Sequence, residues 1–300
     1  GDFLNFIGNG STVHSTIQIN GIGVLMKKKI ETWLIFIFLT VFTMGTIYPI
    51  LNIIGISLRK DNAFQSKSLA FISANSGWDS YLKLLTETQF LIWLKNSIVI
   101  SIAVTILGVA LASTSAYALS RYKFKGRQLG MTSLLTTQMF PATMLLLPFF
   151  IILSKLGLIN SYLGLVIIYS STALPFCIWQ MKGFYDTIPH ALEESAYMDG
   201  CNHFQAFYKI VLPLSTPALV ITALFSFMAS WSEYVVAAII LQDPELYTLP
   251  LGLKSFQSSL ATEWGLYAAG AVVISIPVVI LFVSLARFLV SGLTMGSVKG

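Results

Sequence analysis

Few residues in this chain could carry chemistry. His14, His190 and His203 are scattered, and Cys177 and Cys201 belong to no Cys/His cluster. There is no H-E-x-x-H, no G-x-S-x-G elbow and no G-x-x-x-x-G-K-[ST] loop. Metal-assisted hydrolysis, a serine nucleophile and a nucleotide site of the chain's own therefore lack their residues. The two cysteines read as small apolar side chains, and no disulfide framework is implied. Two features remain. One is the polar passage EESAYMDGCNHFQAFYKIVLPLSTP, residues 193–217, set between oily stretches; the other is Glu233, alone in the apolar run ASWSEYVV. A charge at membrane depth costs at least a few kcal/mol, so Glu233 reads as a pairing or pathway residue.

The polar passage has the punctuation of two short helices. Asp186 or Thr187 can cap the first, Pro189 suits its first turn, and Glu193 and Glu194 sit near its positive end. Leu192, Ala196 and Asp199 fall on one face, and Gly200 can take the left-handed position that stops the helix. Asn202 can cap a second helix carrying the apolar stripe Phe204, Phe207, Tyr208 and Val211 ahead of Pro213. Two readings stay open at this point. The passage is a solvated linker, or a presented knob whose small face, rimmed by acids, docks into a groove on a partner protein.

The elements around it are those of an all-α, polytopic membrane protein. The 300 residues are 55% hydrophobic and 10% charged, with mean hydropathy +0.77, whereas soluble domains are about a quarter charged. Apolar windows near 32–57, 97–119, 130–153, 161–181, 214–240 and 268–290 are each long enough for a transmembrane helix. Six spans place both termini on one side. Lys27, Lys28, Lys29, Arg121, Lys123, Lys125, Arg127, Lys182, Lys209, Arg287 and Lys299 share that side, against Arg59, Lys60, Lys67, Lys83, Lys95, Lys155 and Lys254 on the other. The positive-inside rule then orients the chain N-in and C-in, with the polar passage in the cytoplasm between spans four and five. The net charge of +5 is accounted for at the membrane flanks and calls for no nucleic acid. Residues 1–25 are expected to be an upstream extension, disordered or not native, because MKKKIE from Met26 reads as the natural start. Residues 26–300 then form one transmembrane domain with its core at about 93–290.

The polar passage also carries a resemblance. Glu194, Ser195, Ala196, Gly200, Ile210, Leu212 and Pro213 match the E-A-A-x3-G-x9-I-x-L-P signature of ABC importer membrane subunits, with Ser195 in place of the first alanine. From about residue 30 to 300 the chain resembles the sugar-importer branch, through NSIVISIAVTILGVALASTSAYALSRYKFKGR, QMFPA and GLTMGSVKG. Through ISLRKDNAF, MKGFYDTI, YTLPLGL and LVSGLTMGSVKG it is most similar to the smaller, six-span maltose/maltodextrin permease subunits.

That resemblance implies a multi-pass subunit of the bacterial cytoplasmic membrane. It implies a second, larger permease, two copies of a cytoplasmic ATPase that uses the ATP and Mg, and an extracytoplasmic sugar-binding protein. It implies no cofactor and no catalytic residue on this chain. The coupling segment is expected to comprise Glu193, Glu194, Ser195, Ala196, Asp199, Gly200, Ile210, Leu212 and Pro213. Glu194 would be its polar anchor, with Ala196 and Gly200 permitting close approach. The terminal GSVKG is expected either at the ATPase interface or as a free tail.

Residue types suited to a sugar, aromatic or hydrogen-bonding, occur at membrane depth as Gln138, Met139, Phe140, Trp179, Gln180, Trp231, Ser232 and Glu233. Such residues also join helices or anchor at interfaces. Residues 76–85 and 241–267 are expected outside, as the surface for the binding protein. The competing readings are the same architecture carrying another sugar or a glycerol-phosphate, and a stand-alone ion-coupled transporter.

Overall fold

The computed structural model describes residues 3–60, 62–64, 76–257 and 262–295, with the side chains of 3–27, 142, 287 and 289–295 left aside. The terminal GSVKG expectation lies outside the described residues. The helices in chain order are α1 (Phe3–Ser57), α2 (Asp79–Thr86), α3 (Phe90–Arg121), α4 (Arg127–Gln138), α5 (Leu146–Lys155), α6 (Tyr162–Tyr185) and α7 (Ala191–Met198). They continue as α8 (His203–Ala206), α9 (Leu212–Leu214), α10 (Thr216–Trp231), α11 (Val235–Ile240), α12 (Leu249–Lys254) and α13 (Trp264–Met295). Among the described residues the β structure is one isolated bridge, Arg59 to Ser76. An all-helical chain of this hydropathy satisfies its backbone internally, which the hydrocarbon interior demands.

Four helical stretches are long and apolar enough to cross a membrane, Lys28–Ser57, Phe90–Arg121, Tyr162–Tyr185 and Trp264–Ala286, and two bent pairs bring the number to six if each is one span. One of these bends and a further break fall inside the sequence windows, while the other bend, 79° between His203–Leu214 and Thr216–Trp231, falls at the start of the fifth window. The window at 130–153 breaks between α4 and α5, which meet at 99°, because Pro141 lacks an N–H and is followed by a 3-10 turn, Ala142–Leu145. The window at 214–240 breaks at Ser232–Tyr234, so α10 ends at Trp231 and a separate α11 begins at Val235. The segment 1–25, expected as an extension, is helical in its backbone from Phe3 onward.

Three helices form the centre: α3 packs along α6, and α10 lies against both, while α1 pairs with α13 at the flank. Small residues set the closeness of the α3–α10 contact. A Cβ on Gly108 would stand 2.5 Å from the Ser226 hydroxyl oxygen, and that hydroxyl lies 3.4 Å from the Cys177 sulfur of α6. Without a hydrophobic drive between helices in lipid, such close approach is what makes packing attractive.

Apolar clusters sit on either side of this seam. Ala116, Tyr117, Met181, Tyr185, Phe207 and Val211 fill one end. Ile100, Val104, Leu165, Tyr169 and Ile240 fill the other, beyond which Phe90, Trp93, Trp231 and Leu249 close the bundle. Conversely, Trp33, Phe36, Phe38 and Phe42 of α1 stand exposed. An apolar surface of that extent belongs against lipid or another subunit.

At the end away from α7, the two loop regions expected to lie outside meet. Lys83 of α2 pairs with Glu263 at 3.7 Å, and the Asn62 amide donates to the Thr262 carbonyl at 3.0 Å while its oxygen accepts from the Gly265 N–H. Lys83 and Glu263 are both about half exposed, so the pair orders the loops only weakly.

Candidate functional site

At the opposite end of the bundle the chain leaves α6 and builds a knob from α7 and α8. Local sequence explains most of it. Gly200 ends α7 at φ +85°, the left-handed region that glycine enters without a Cβ penalty. Asn202 caps α8: its side chain accepts from the Gln205 N–H at 2.8 Å, and the Gln205 side chain accepts from the Asn202 N–H at 2.9 Å.

The start of α7 differs from expectation. Neither Asp186 nor Thr187 caps it; His190 holds the N-cap position without a side-chain bond. Asp186 instead closes α6, accepting from Lys182 at 2.5 Å and from the Ser120 hydroxyl at 2.6 Å. Burial pushes its carboxyl up, but the bonds from Lys182 and Ser120 and the charges of Lys182 and Arg127 outweigh this and hold it below its ordinary value.

The second helix is also not the regular stripe the periodicity suggested. It widens into a π turn over Phe207–Val211, so Phe207 and Val211 are buried while Phe204 and Tyr208 stand out. Leu212 and Pro213 open α9, and Ser215, whose hydroxyl donates to the Val211 carbonyl at 2.6 Å, marks a 79° bend into α10.

The root of the knob is an ionic clamp that sequence reading did not find. Arg121, the last residue of α3, donates from Nε to Glu193 Oε1 at 2.5 Å. Its Nη1 donates to the Tyr185 carbonyl at 3.0 Å and its Nη2 to the Ile188 carbonyl at 3.1 Å. The Tyr117 hydroxyl donates to the other Glu193 oxygen at 2.6 Å.

The Arg121 and Glu193 side chains are 5% and 4% exposed, so the ion pair is shielded from water. One guanidinium thus ties three pieces together: the end of α3, the carbonyl-rich C-terminus of α6 and the first turn of α7. Tyr117 also packs on Phe207 at 4.6 Å between ring centroids, joining the π turn to the same knot. The missed signal was available in part, since Arg121 ends a long apolar helix and Glu193 opens the knob. Their 72-residue separation left no rule to pair them.

The coupling candidates consequently divide. Glu193 and Ala196 are the buried residues of α7, so of the small face expected to meet a partner Ala196 is turned into the protein while Leu192 and Asp199 stay exposed. Glu194, Ser195, Asp199 and Gly200 are exposed, and Ser195 bonds only back to the Ala191 carbonyl at 2.8 Å. Beside them stand two large apolar side chains that the motif did not single out: Met198, 88% exposed, and Phe204, 74% exposed. Ile210 and Leu212 are half-buried and Pro213 is exposed.

The residues expected along a sugar path are not gathered into one site. Met139 and Phe140 project at the α4–α5 break, and the Gln138 amide donates to the Thr172 carbonyl at 3.2 Å. The Trp179 indole points toward α4, 3.4 Å from the Met131 carbonyl. Gln180 is half-buried, accepting from the Thr222 hydroxyl of α10 at 2.6 Å. Trp231 is buried with its N–H on the Ile274 carbonyl at 3.2 Å, while Ser232 beside it is exposed. Glu233 lies in the break between α10 and α11. It accepts from Tyr169 OH at 2.9 Å and from the N–H groups of Val236 and Ala237 at 2.9 and 3.2 Å, which caps α11.

Comparison with known proteins gives a consistent set of likenesses. Residues 105–295 match the family model described as binding-protein-dependent transport system inner membrane component. The chain is 36% identical over 280 residues to the maltodextrin transport system permease protein of Bacillus subtilis (strain 168), covering 92% of this chain and 98% of that one. It is 37% identical over 282 residues to the galactooligosaccharides transport system permease protein of the same strain, covering 92% and 99%. Among solved structures it superimposes with a TM-score of 0.77 and 24% identity on a chain of a bacterial ABC transporter involved in the import of the acidic polysaccharide alginate, covering 87% of this chain and 97% of that one.

Proposed function

Because the chain belongs to the family of binding-protein-dependent transport system inner membrane components, we propose that it is the smaller permease subunit of an ATP-driven importer of maltose and maltodextrins. In this reading it crosses the cytoplasmic membrane six times, N-in and C-in, with the α7–α8 knob in the cytoplasm. The observation that carries the proposal is the knob itself. It is bound to two spanning helices through the buried Arg121–Glu193–Tyr117 clamp, yet presents Glu194, Met198 and Phe204 outward.

That geometry supports the following mechanism. A partner ATPase, which binds and hydrolyses ATP with its Mg, holds the knob in a surface groove, with Met198 and Phe204 as apolar anchors and Glu194 as the polar one. When the ATPase pair closes, the force on α7 passes through Glu193 and Arg121 into the ends of α3 and α6. A rigid joint there is required, because a floppy one would absorb the stroke. The bundle and that of a second, larger permease then tip between inward-open and outward-open states. The far-end surface of α2 and the 241–267 segment receives the sugar-loaded binding protein. The chain's own part in this is mechanical: it forms half of a path and performs no bond chemistry.

The choice of maltodextrin rests on the similarity to the Bacillus maltodextrin permease. The relative that serves galactooligosaccharides is equally similar, so a neutral oligosaccharide is the broader reading and galactooligosaccharides the second. The test is uptake into proteoliposomes holding the purified complex and its binding protein. Labelled maltotriose should enter only with ATP and the binding protein present, and unlabelled galactooligosaccharide should compete poorly. Transport by this chain alone, without ATP, would overturn the proposal.

A further inference from the structure

The coupling and path readings leave one built feature largely unused: a cleft of about 470 Å³ between α4 and the last two turns of α6, which shares only Trp179 with the path candidates. The two helices run antiparallel here, since Gln138 reaches Thr172 while Trp179 lies by Met131. Three cations converge on its mouth from separate elements: Lys123 in the α3–α4 connection, Arg127 at the start of α4, and Lys182 on α6. Lys182 is matched by Asp186 at 2.5 Å. Among the described residues no acid lies within ion-pair distance of Lys123 or Arg127, although Asp186 feels the charge of Arg127 from farther off, so the mouth holds two cations without a salt bridge.

The cleft then changes character along its length. Arg127, Met131 and Leu135 are four residues apart on one face of α4, so the wall runs from cation to thioether to exposed alkyl over about 12 Å of helix. The Trp179 indole lines the same cleft, its N–H toward the Met131 carbonyl at 3.4 Å, as an amphipathic ring at the membrane interface does. Lys and Arg at a span end are ordinarily only topology signals. They do not ordinarily cap a concave slot with an apolar lower wall.

We infer that this cleft binds one anionic phospholipid, its phosphodiester between Lys123 and Arg127 and its acyl chain along Leu135. The amphiphilic gradient is what selects a lipid over a free phosphate, for which the apolar lower wall has no use. The ligand joins α4 to α6 beside the Asp186–Ser120 contact at the root of the knob.

The test uses the assembled complex in nanodiscs in which a fixed fraction of the lipid is brominated. Bromine on the acyl chain quenches a nearby indole, and the difference between the native complex and the W179F complex isolates Trp179. Brominated phosphatidylglycerol should quench Trp179 more strongly than brominated phosphatidylcholine at equal mole fraction. The K123Q/R127Q variant should lose that preference, with apparent affinity falling about fivefold for each cation removed. The charge-keeping K123R/R127K variant should retain it. If the doubly neutralised chain fails to insert, K123Q and R127Q singly carry the same readout. Equal quenching by the two lipids, a preference indifferent to Lys123 and Arg127, or displacement of the quencher by inorganic phosphate would each overturn the assignment.

Discussion

Replacing Arg121 by Ala should loosen the knob from the bundle while leaving it on the protein. Arg121 makes one charged bond to Glu193 and two to backbone carbonyls, and Glu193, 4% exposed in the intact protein, would lose its counter-charge and keep the Tyr117 hydroxyl as its side-chain partner. Charge-assisted bonds contribute about 1.5–3 kcal/mol each, but desolvating the guanidinium offsets much of their sum. Removing one member of a buried pair costs about 3–5 kcal/mol, largely because the surviving charge is stranded.

The loss is local, so the assay is hydrogen exchange over residues 186–213 in the assembled complex. Opening of α7 should become at least about a hundredfold more frequent, at 1.4 kcal/mol per tenfold. Sugar uptake per ATP hydrolysed should fall with it. The double variant R121A/E193A should be less damaged than R121A, because it strands no charge. Unchanged exchange in α7 with unchanged uptake per ATP would refute the idea that the clamp transmits force.

Other consequences follow from the same geometry. Gly200→Ala meets no atom within 4 Å of its new Cβ, so its effect is the left-handed backbone alone, about 1–2 kcal/mol, visible as faster exchange at the end of α7. Gly108→Ala drives a Cβ to 2.5 Å from Ser226, and should lower the thermal stability of the complex by about 1–3 kcal/mol, with S226G restoring part of it. Glu233→Ala should cost about 1–2 kcal/mol through the lost α11 cap while leaving the half-saturating sugar concentration unchanged; a selective rise in that concentration would instead mark Glu233 as a sugar contact.

Asp186 is held below its ordinary 3.8, so the stability it lends the α6–α7 corner is present above that value and is lost as pH falls through the lower folded value. Hydrogen exchange at Thr187–Ile188 should therefore speed up only in that acid range, and D186N should abolish the dependence.

The primary structure alone was sufficient for the all-helical membrane class, because a bilayer admits so few solutions for an oily chain. It was also sufficient for the stop at Gly200 and the cap at Asn202, since these are decided within a turn or two of chain. The resemblance in residues 194–213 pointed to the family that the comparisons then supplied.

What it could not supply were facts set by distance in space. The break at Ser232–Tyr234 places Glu233 against Tyr169, 64 residues away, and hydropathy windows read straight across it, as they do across the locally set break at Pro141. Motif position implied that Ala196 faces outward, but packing of the knob on the bundle turned it in and left Met198 and Phe204 presented. Glu193 looked like a surface acid at a helix start. Only the tertiary structure brings Arg121 to it across 72 residues, because a buried charge persists where its counter-charge and hydrogen-bond partners converge, and sequence order carries no record of that convergence.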